Sequence, residues 1–347
     1  MQTFRCSCGS TIFFESSLCV RCGAELGWCP ACRSMTALVP DGERLRCGRS
    51  GCGAPLVKCS NYALERVCNR CCPADAPGLC DYCRFNATIP DLSVEGNRER
   101  WARLEAAKRR LLYTLDLLGL PYGDATDGVE PPLSFAFEAD PEPTRSWWKM
   151  GEVERVYTGH ANGRITIDVA EADDVAREKA RTWFGEAHRT IIGHFRHEIG
   201  HYYWQMLVQG RCEPRFVERF GNHESPSYAD AQQRYYDQGP PAGWEATCIS
   251  AYAAMHPWED FAECFGTYLD MVSVLDIARQ MKVGGVDPTC AELQAMIDAY
   301  AELGVVLNEM NRAQGLVDLV PEVLGPPVVA KLGFVHELVR AAARTSR

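Results

Sequence analysis

The stretch EAHRTIIGHFRHEIGHYYWQMLVQ, residues 186–209, decides the fold of the larger part of this chain. Its apolar side chains recur at helical spacing, so the pattern predicts an α-helix with one packing face. That face holds Ile191, Phe195, Ile199, Tyr202 and Met206. Three histidines, His194, His197 and His201, lie on roughly the opposite side, so they face something other than the packing surface.

His197, Glu198 and His201 form the pattern HExxH within this helix. Side chains four residues apart stack on one helix face, so that one zinc ion can bridge both imidazoles. Glu198 projects beside the metal, where a carboxylate can take a proton from the bound water. The alternative is a solvated polar face without metal, but the apolar and aromatic flanks disfavour it. The motif therefore predicts a catalytic zinc site.

A catalytic zinc site needs a third protein ligand, and residues 256–271, HPWEDFAECFGTYLDM, contain candidates. We expect a helix that begins near Pro257. Glu259 would reach the metal, and Glu263, one turn later, would accept a hydrogen bond from a ligand histidine. The small residues Ala262 and Gly266 would let this helix lie close to the first. The two glutamates could exchange roles, or both could be ordinary surface charges.

Fourteen of the 18 cysteines fall between Cys6 and Cys83. A CxxC turn offers two thiolates and a second pair closes a tetrahedral site, so this series is typical of zinc ribbons. Because six cysteines compete for four places in the last group, Cys71 or Cys72 could replace a member. We expect two to three structural zinc ions beside the catalytic one. The predicted quartets are Cys6, Cys8, Cys19 and Cys22; Cys29, Cys32, Cys47 and Cys52; and Cys59, Cys68, Cys80 and Cys83.

The remaining cysteines, Cys212, Cys248, Cys264 and Cys290, are scattered, and we interpret them as small buried apolar residues.

Composition limits the class of protein and its partners. The 347 residues favour about two domains and carry a net charge of −10, which gives no overall attraction to nucleic acid or anionic membranes. Nucleic acid binding through the ribbons stays an open alternative. No run of 18 apolar residues predicts a membrane span, and the start MQTFRCSCGS lacks a secretory signal. Clustered thiolates suit a reducing compartment, so we expect a cytoplasmic protein without a membrane partner.

The fold class that we predict is α+β: a mainly helical zincin-like domain with a small β-sheet, preceded by small zinc-ribbon modules. The expected boundaries are residues 1–85 for the ribbons, 86–97 for a linker and 98–347 for the helical domain. A helix is expected over 98–118, with Asn97 as its N-cap and Gly119 as its stop.

The rest of the helical domain is predicted to contain two strands, a lid or cleft wall, and a group of helices that closes the domain. The alternating patterns at 133–140 and 164–172 predict the strands, and Gly159–Gly163 reads as the turn before the second. Residues 212–248 would form a lid or cleft wall. Residues 287–346 read as two or three helices that close the domain, with a break at Gly325.

The segments GHFRHEIGHYYW and SAYAAMHPWEDFAE resemble the signature of the bacterial family known as putative zinc-binding metallopeptidases. The resemblance also covers IPDLSVEGNRERWARLEAAKRRLLY and LNEMNRAQGLVDL, and it implies an N-terminal zinc ribbon. In the wider gluzincin clan, HExxH supplies two ligands and the base, and a later helix supplies a glutamate. The chain departs from the family in having more ribbon cysteines than expected, which puts its zinc count in doubt.

The segment EDFAECF also resembles ExxAExF of the lethal-factor type of toxin protease. There the first glutamate binds zinc, and a tyrosine seven residues earlier faces the site. The equivalent residue here is Tyr252, which would then polarise the scissile carbonyl or hold the oxyanion. Tyr252 could equally be a core residue.

These observations predict a zinc metallopeptidase that acts on a protein or peptide substrate. His197, His201 and Glu259 would hold the zinc, and Glu198 would move the proton. The edge of the sheet, at residues 164–172, could pair with the substrate backbone. The alternative is a zinc-ribbon regulator that binds protein or nucleic acid and carries an inactive peptidase-like scaffold.

Overall fold

The computed structural model describes residues 3–139, 158–173, 190–321 and 323–345. The predicted class, α+β with a mainly helical body and small sheets, is confirmed.

The N-terminal part consists of short antiparallel strands whose turns carry the cysteines. Strand β1 (Phe4–Arg5) pairs with β2 (Thr11–Ile12), and a second sheet has five strands in sequential order. A single short helix, α1 (Ser60–Ala63), lies between its last two strands. Strands this short bury little apolar surface, so bound metal would have to supply much of their stability. The five strands are β3 (Leu26–Cys29), β4 (Ser34–Asp41), β5 (Arg44–Cys47), β6 (Pro55–Lys58) and β7 (Cys71–Pro73).

The helical part contains a four-stranded sheet in the order β10-β11-β9-β8. Its strands are β8 (Asn86–Thr88), β9 (Ser134–Glu138), β10 (Gly159–Ala161) and β11 (Arg164–Asp168). Strand β11 pairs antiparallel with β10 and parallel with β9, so it is an interior strand. The prediction that residues 164–172 form the sheet edge is therefore wrong, because Gly159–Ala161 is a strand and only Asn162 and Gly163 make the turn. The exposed edge beside β11 is β10.

The expected linker, residues 86–97, is partly built into this sheet. Its first residues form strand β8, which pairs with β9 in parallel. After it, Gly96 precedes helix α2 (Asn97–Leu118) with a φ of +83°. Asn97 is thus the first helical residue and not the predicted N-cap. Its side-chain amide donates a hydrogen bond to the Asp91 carbonyl at 3.0 Å. Gly119 ends the helix with a φ of +68°, as predicted.

Six further helices complete the described body. Helix α3, the HExxH helix, packs along α6, which carries Glu259, and most of the apolar residues on their facing sides are buried. Helices α7 and α8 confirm the prediction of a helical C-terminal region with a break at Gly325. The bounds are α3 (Ile191–Leu207), α4 (Glu213–Phe220), α5 (Tyr228–Gln238), α6 (Pro257–Met281), α7 (Leu293–Ala313) and α8 (Pro326–Thr345).

The third cysteine group shares one continuous core with the helical body. Cys59, Cys68 and Cys83 belong to the same buried cluster as Trp101 and Leu104 of α2. The first group has a smaller core of its own, with Phe14 packed against Tyr113 of α2 at 5.2 Å between ring centroids. Across the described ranges, no helix combines the length and the apolar character that a bilayer crossing requires.

Candidate metal centre

Helix α3 presents two imidazoles to one point. Its start is fixed by Thr190, whose hydroxyl accepts a hydrogen bond from the Gly193 amide at 3.0 Å. Two turns later, the Nε2 atoms of His197 and His201 lie 3.1 Å apart. Four-residue spacing on a helix produces this stacking, as the sequence predicts.

Helix α6 brings Glu259 to the same point. His256 caps this helix, since its Nδ1 accepts from the Trp258 amide at 3.2 Å, and Glu259 follows in the first turn. The Glu259 Oε2 atom lies 2.9 Å from Nε2 of His197 and 3.4 Å from Nε2 of His201. Burial alone would raise the pKa of Glu259, but the neighbouring imidazoles outweigh it and hold the pKa below its usual range.

The separations of these three atoms fit a zinc ion. Zinc bonds of about 2.0–2.2 Å at tetrahedral corners require ligand atoms about 3.3 Å apart. The observed separations of 3.1, 2.9 and 3.4 Å lie close to that value. Two imidazoles and one carboxylate are also a donor set that catalytic zinc uses. His197, His201 and Glu259 are therefore able to hold a zinc ion.

Glu263 lies behind His197. Its Oε1 atom is 2.7 Å from Nδ1 of His197, and its Oε2 atom accepts a hydrogen bond from the Ser250 hydroxyl at 2.7 Å. A carboxylate on Nδ1 fixes the proton there and leaves Nε2 free as a ligand. The structure thus places Glu259 at the Nε2 atoms and Glu263 at the far side of the ring, which is the arrangement that the sequence favours.

Glu198 is buried close to the three candidate ligands. The residue is 7% exposed, and its Oε2 atom has no hydrogen-bond partner within the described part of the chain. Burial raises the pKa of Glu198, while the neighbouring His197 and His201 lower it in part. A carboxylate with a raised pKa is a better proton acceptor than an exposed one.

Several aromatic rings surround the three candidate ligands. Tyr252, predicted by resemblance, lies with its ring 5.8 Å from that of His197, and burial and the charge of Glu259 raise its pKa. Tyr228 donates a hydrogen bond to Glu259 Oε1 at 2.8 Å. Trp258 covers His201, with ring centroids 3.8 Å apart. The sequence did not identify Tyr228 or Trp258, because no spacing links them to the motif.

The other nearby histidines have structural partners. His194 contacts Glu171 through Nδ1, and His256 is the helix cap whose Nε2 lies 3.1 Å from the His223 carbonyl. Neither belongs to the predicted metal set. His160 of β10 accepts a hydrogen bond from the Gly163 amide at 3.0 Å, and burial together with His201 lowers its pKa to about 4.

The ribbon cysteines form the three predicted quartets. Zinc–sulfur bonds of about 2.3 Å imply sulfur atoms about 3.8 Å apart, whereas a disulfide requires about 2.05 Å. The observed Sγ–Sγ distances include 3.7 Å for Cys6–Cys22 and 3.9 Å for both Cys29–Cys52 and Cys68–Cys80. Each quartet can therefore hold one zinc ion.

Cys71 and Cys72 lie outside the quartets. Both are buried in strand β7, and burial raises their pKa values to about 12 and about 11. Neither sulfur lies with the four sulfur atoms of a quartet, so neither is a candidate ligand. Of the scattered cysteines, Cys264 is buried as expected; Cys290 is exposed, so that expectation is wrong for it, because it lies in the loop before α7.

Comparison with known proteins gives two family matches. Residues 97–338 match the model of a family described as "Putative zinc-binding metallo-peptidase", and residues 3–94 match that of a zinc-ribbon domain. Uncharacterized proteins of Mycobacterium bovis and Mycobacterium tuberculosis are 35% identical over 354 residues, which covers 99% of this chain and 96% of each relative. No solved structure matches the chain.

Proposed function

The chain belongs to the putative zinc-binding metallo-peptidase family and carries an N-terminal zinc ribbon, and we propose from this premise that it hydrolyses peptide bonds. The observation that carries the proposal is the convergence of His197, His201 and Glu259 beside the buried carboxylate of Glu198. A ligand set of two histidines and a glutamate from a later helix is that of a gluzincin, which we propose as the class.

Each residue of the centre has a distinct role in the proposed reaction. When bound, zinc would polarise the scissile carbonyl and lower the pKa of a water molecule. Glu198 takes a proton from the attacking water and delivers it to the nitrogen of the leaving amine. Tyr252 donates a hydrogen bond to the carbonyl oxygen as negative charge develops on it. Glu263 keeps His197 in the tautomer whose Nε2 is free.

The substrate backbone would lie along strand β10. This strand is the sheet edge next to β11, and its His160 ring stacks 6.5 Å from that of His201. An extended peptide that adds a strand at this edge would pass the three candidate ligands. We therefore assign to Gly159–Ala161 the role that the sequence suggested for residues 164–172.

The three quartets would each hold a structural zinc ion, giving four zinc ions per chain with the catalytic one. We propose that residues 1–85 are a structural ribbon region and that 98–347 form the peptidase domain. Clustered thiolates of this kind persist in reducing compartments, which favours a cytoplasmic location. The substrate would be a protein or peptide, without a nucleic acid or membrane partner.

The test is the variant Glu198→Gln, with Glu302→Gln on the exposed face of α7 as the matched control. The substrate is a mixed library of unstructured peptides, and cleavage is followed by mass spectrometry. We expect the wild type and the control to cleave equally. Glu198→Gln should keep its zinc and lose about 10²–10⁴-fold in rate. Wild-type protein that holds four zinc ions and cleaves no peptide would favour the regulator with an inactive scaffold.

A further inference from the structure

Glu259 uses its two carboxylate oxygens for different partners. Oε2 faces the imidazoles of His197 and His201, and Oε1 accepts the hydrogen bond from Tyr228 at 2.8 Å. The Glu259 side chain is almost completely buried, so the orientation of the carboxylate is set by these contacts rather than by solvent. With Oε1 engaged, only Oε2 is presented to the position between the imidazoles.

Tyr228 belongs to a part of the chain that is remote from α6 in sequence. It is the first residue of α5, and Ser227 caps that helix by accepting a hydrogen bond from the Asp230 amide at 3.2 Å. The Tyr228 ring packs edge-on against His256 and Trp258, with centroids 5.3 and 5.6 Å away. Tyr228 therefore contacts the residues immediately before and around Glu259.

Helix α5 buries little of its own surface. Of its eleven residues only Ala231 is buried, and Tyr235 packs edge-on against Tyr252 at 5.8 Å. A helix with so little buried apolar surface contributes little to its own docking. The contacts of Tyr228 are thus among those that hold α5 beside the metal centre.

We propose that Tyr228 is a positioning residue for Glu259, and that its hydrogen bond couples zinc binding to the docking of α5. The inference rests on the proposed zinc site. Bound zinc fixes Glu259 in the orientation that Tyr228 recognises, so it stabilises the docked helix. Docked α5 in turn holds Glu259 as a single-oxygen ligand and raises the affinity for zinc. By thermodynamic linkage, zinc favours the docked helix by the same factor by which docking of the helix raises the affinity for zinc.

The test compares wild-type protein with Tyr228→Phe, which removes the hydroxyl and keeps the ring. Gln238→Ala removes a polar group from an exposed position of the same helix and is the matched control. A chelator that takes one zinc ion and leaves the cysteine-bound ions gives the depleted state, which a zinc count verifies. Zinc affinity is measured by competition with a chromophoric chelator, and amide exchange of residues 228–238 by mass spectrometry.

We expect Tyr228→Phe to bind the catalytic zinc about 10- to 100-fold more weakly, the usual effect of losing such a partner. In wild-type protein and in Gln238→Ala, zinc should slow amide exchange in α5 by a similar factor. In Tyr228→Phe, zinc should have little effect on this exchange. The inference would be overturned if Tyr228→Phe bound zinc within twofold of the wild-type affinity. It would also be overturned if zinc slowed amide exchange in α5 equally in wild type and in Tyr228→Phe. Neither readout uses peptide cleavage, so an inactive but zinc-loaded protein would contradict the proposed function alone.

Discussion

Gly200 of helix α3 lies directly against Ala262 of helix α6. A Cβ atom added at Gly200 would be 2.8 Å from the Ala262 Cα and 3.0 Å from its carbonyl oxygen. The next residue after Gly200 is His201, and Glu259 lies one turn before Ala262. Because the two backbones touch here, the imidazoles and the carboxylate on the two helices can reach one point.

Gly200→Ala should therefore separate the two helices. The atoms that meet the new methyl group belong to backbone, which cannot move aside as a flexible side chain does, so we expect a loss of about 1–3 kcal/mol in the free energy of unfolding. The catalytic zinc should bind more weakly in the same variant. Gly266→Ala is the control, since its Cβ would meet the α3 backbone at an ordinary 3.5 Å. Urea unfolding and zinc counts check both variants; equal stability of Gly200→Ala and wild type would contradict the packing argument.

Cys68→Ser should destabilise the peptidase body as well as the ribbon. Cys83 of the same quartet has its sulfur 4.0 Å from Glu105, a fully buried residue of α2, so the quartet is part of the body's core. Zinc binding contributes about 10 kcal/mol to the folding of a zinc finger, so we expect the loss of a structural zinc ion to cost several kcal/mol. We expect Cys68→Ser to lose one zinc ion and to expose α2 to proteolysis.

Cys22→Ser is the matched comparison for the preceding variant. Cys22 belongs to the first quartet, is exposed, and lies beside a separate small core. It should lose one zinc ion and expose α2 to proteolysis less than Cys68→Ser does, although Phe14 of the small core packs against Tyr113 of α2. If both cysteine variants expose α2 to proteolysis equally, the third quartet stabilises the helical body no more than the first quartet does.

Cys71→Ser and Cys72→Ser should each keep the zinc count of the wild type. Neither sulfur belongs to a quartet, and burial holds the pKa values of the two thiols at about 12 and about 11. Each quartet already brings four sulfur atoms together, and a tetrahedral zinc ion has no place for a fifth ligand. Elemental analysis of the purified variants measures this; a missing zinc ion in either would place that cysteine in a metal site.

Asp260→Asn should strongly destabilise the start of helix α6. Asp260 and Lys331 of α8 form a buried ion pair, and Lys331 also donates to the Thr247 carbonyl at 2.7 Å. Removing one partner leaves the other charge buried without compensation, which costs about 3–5 kcal/mol. The double variant Asp260→Asn with Lys331→Met should recover much of that loss in urea unfolding. If Asp260→Asn is as stable as wild type, the interactions of Lys331 with solvent and with Thr247 are enough to compensate for the lost ion pair.

The sequence predicted the parts of the site that periodic elements place. His197 and His201 stand four residues apart on a helix with a periodic apolar face, and the small residues Ala262 and Gly266 indicated the close crossing that brings Glu259 to them. The first two quartets could also be predicted, because their cysteines come in pairs that complete four-sulfur sites in sequence order.

The parts that the sequence did not predict depend on long-range packing. Tyr228 reaches Glu259 from a helix that begins 31 residues earlier, and the tyrosine-rich stretch around it gave no spacing to interpret. Strand β10 has only three residues, which is too short for a pattern to show in the sequence. The sequence therefore predicts a turn at Gly159–Ala161 and an edge at β11. The choice between Cys68 and its neighbours Cys71 and Cys72 likewise needed the fold.

The most direct test of the account is the number of zinc ions per chain, measured by elemental mass spectrometry for wild type and for His201→Ala. The account predicts four ions in the wild type and three in the variant, with the cysteine-bound ions retained. Three ions in both proteins would show that His197, His201 and Glu259 hold no metal, and would contradict the proposed peptidase mechanism.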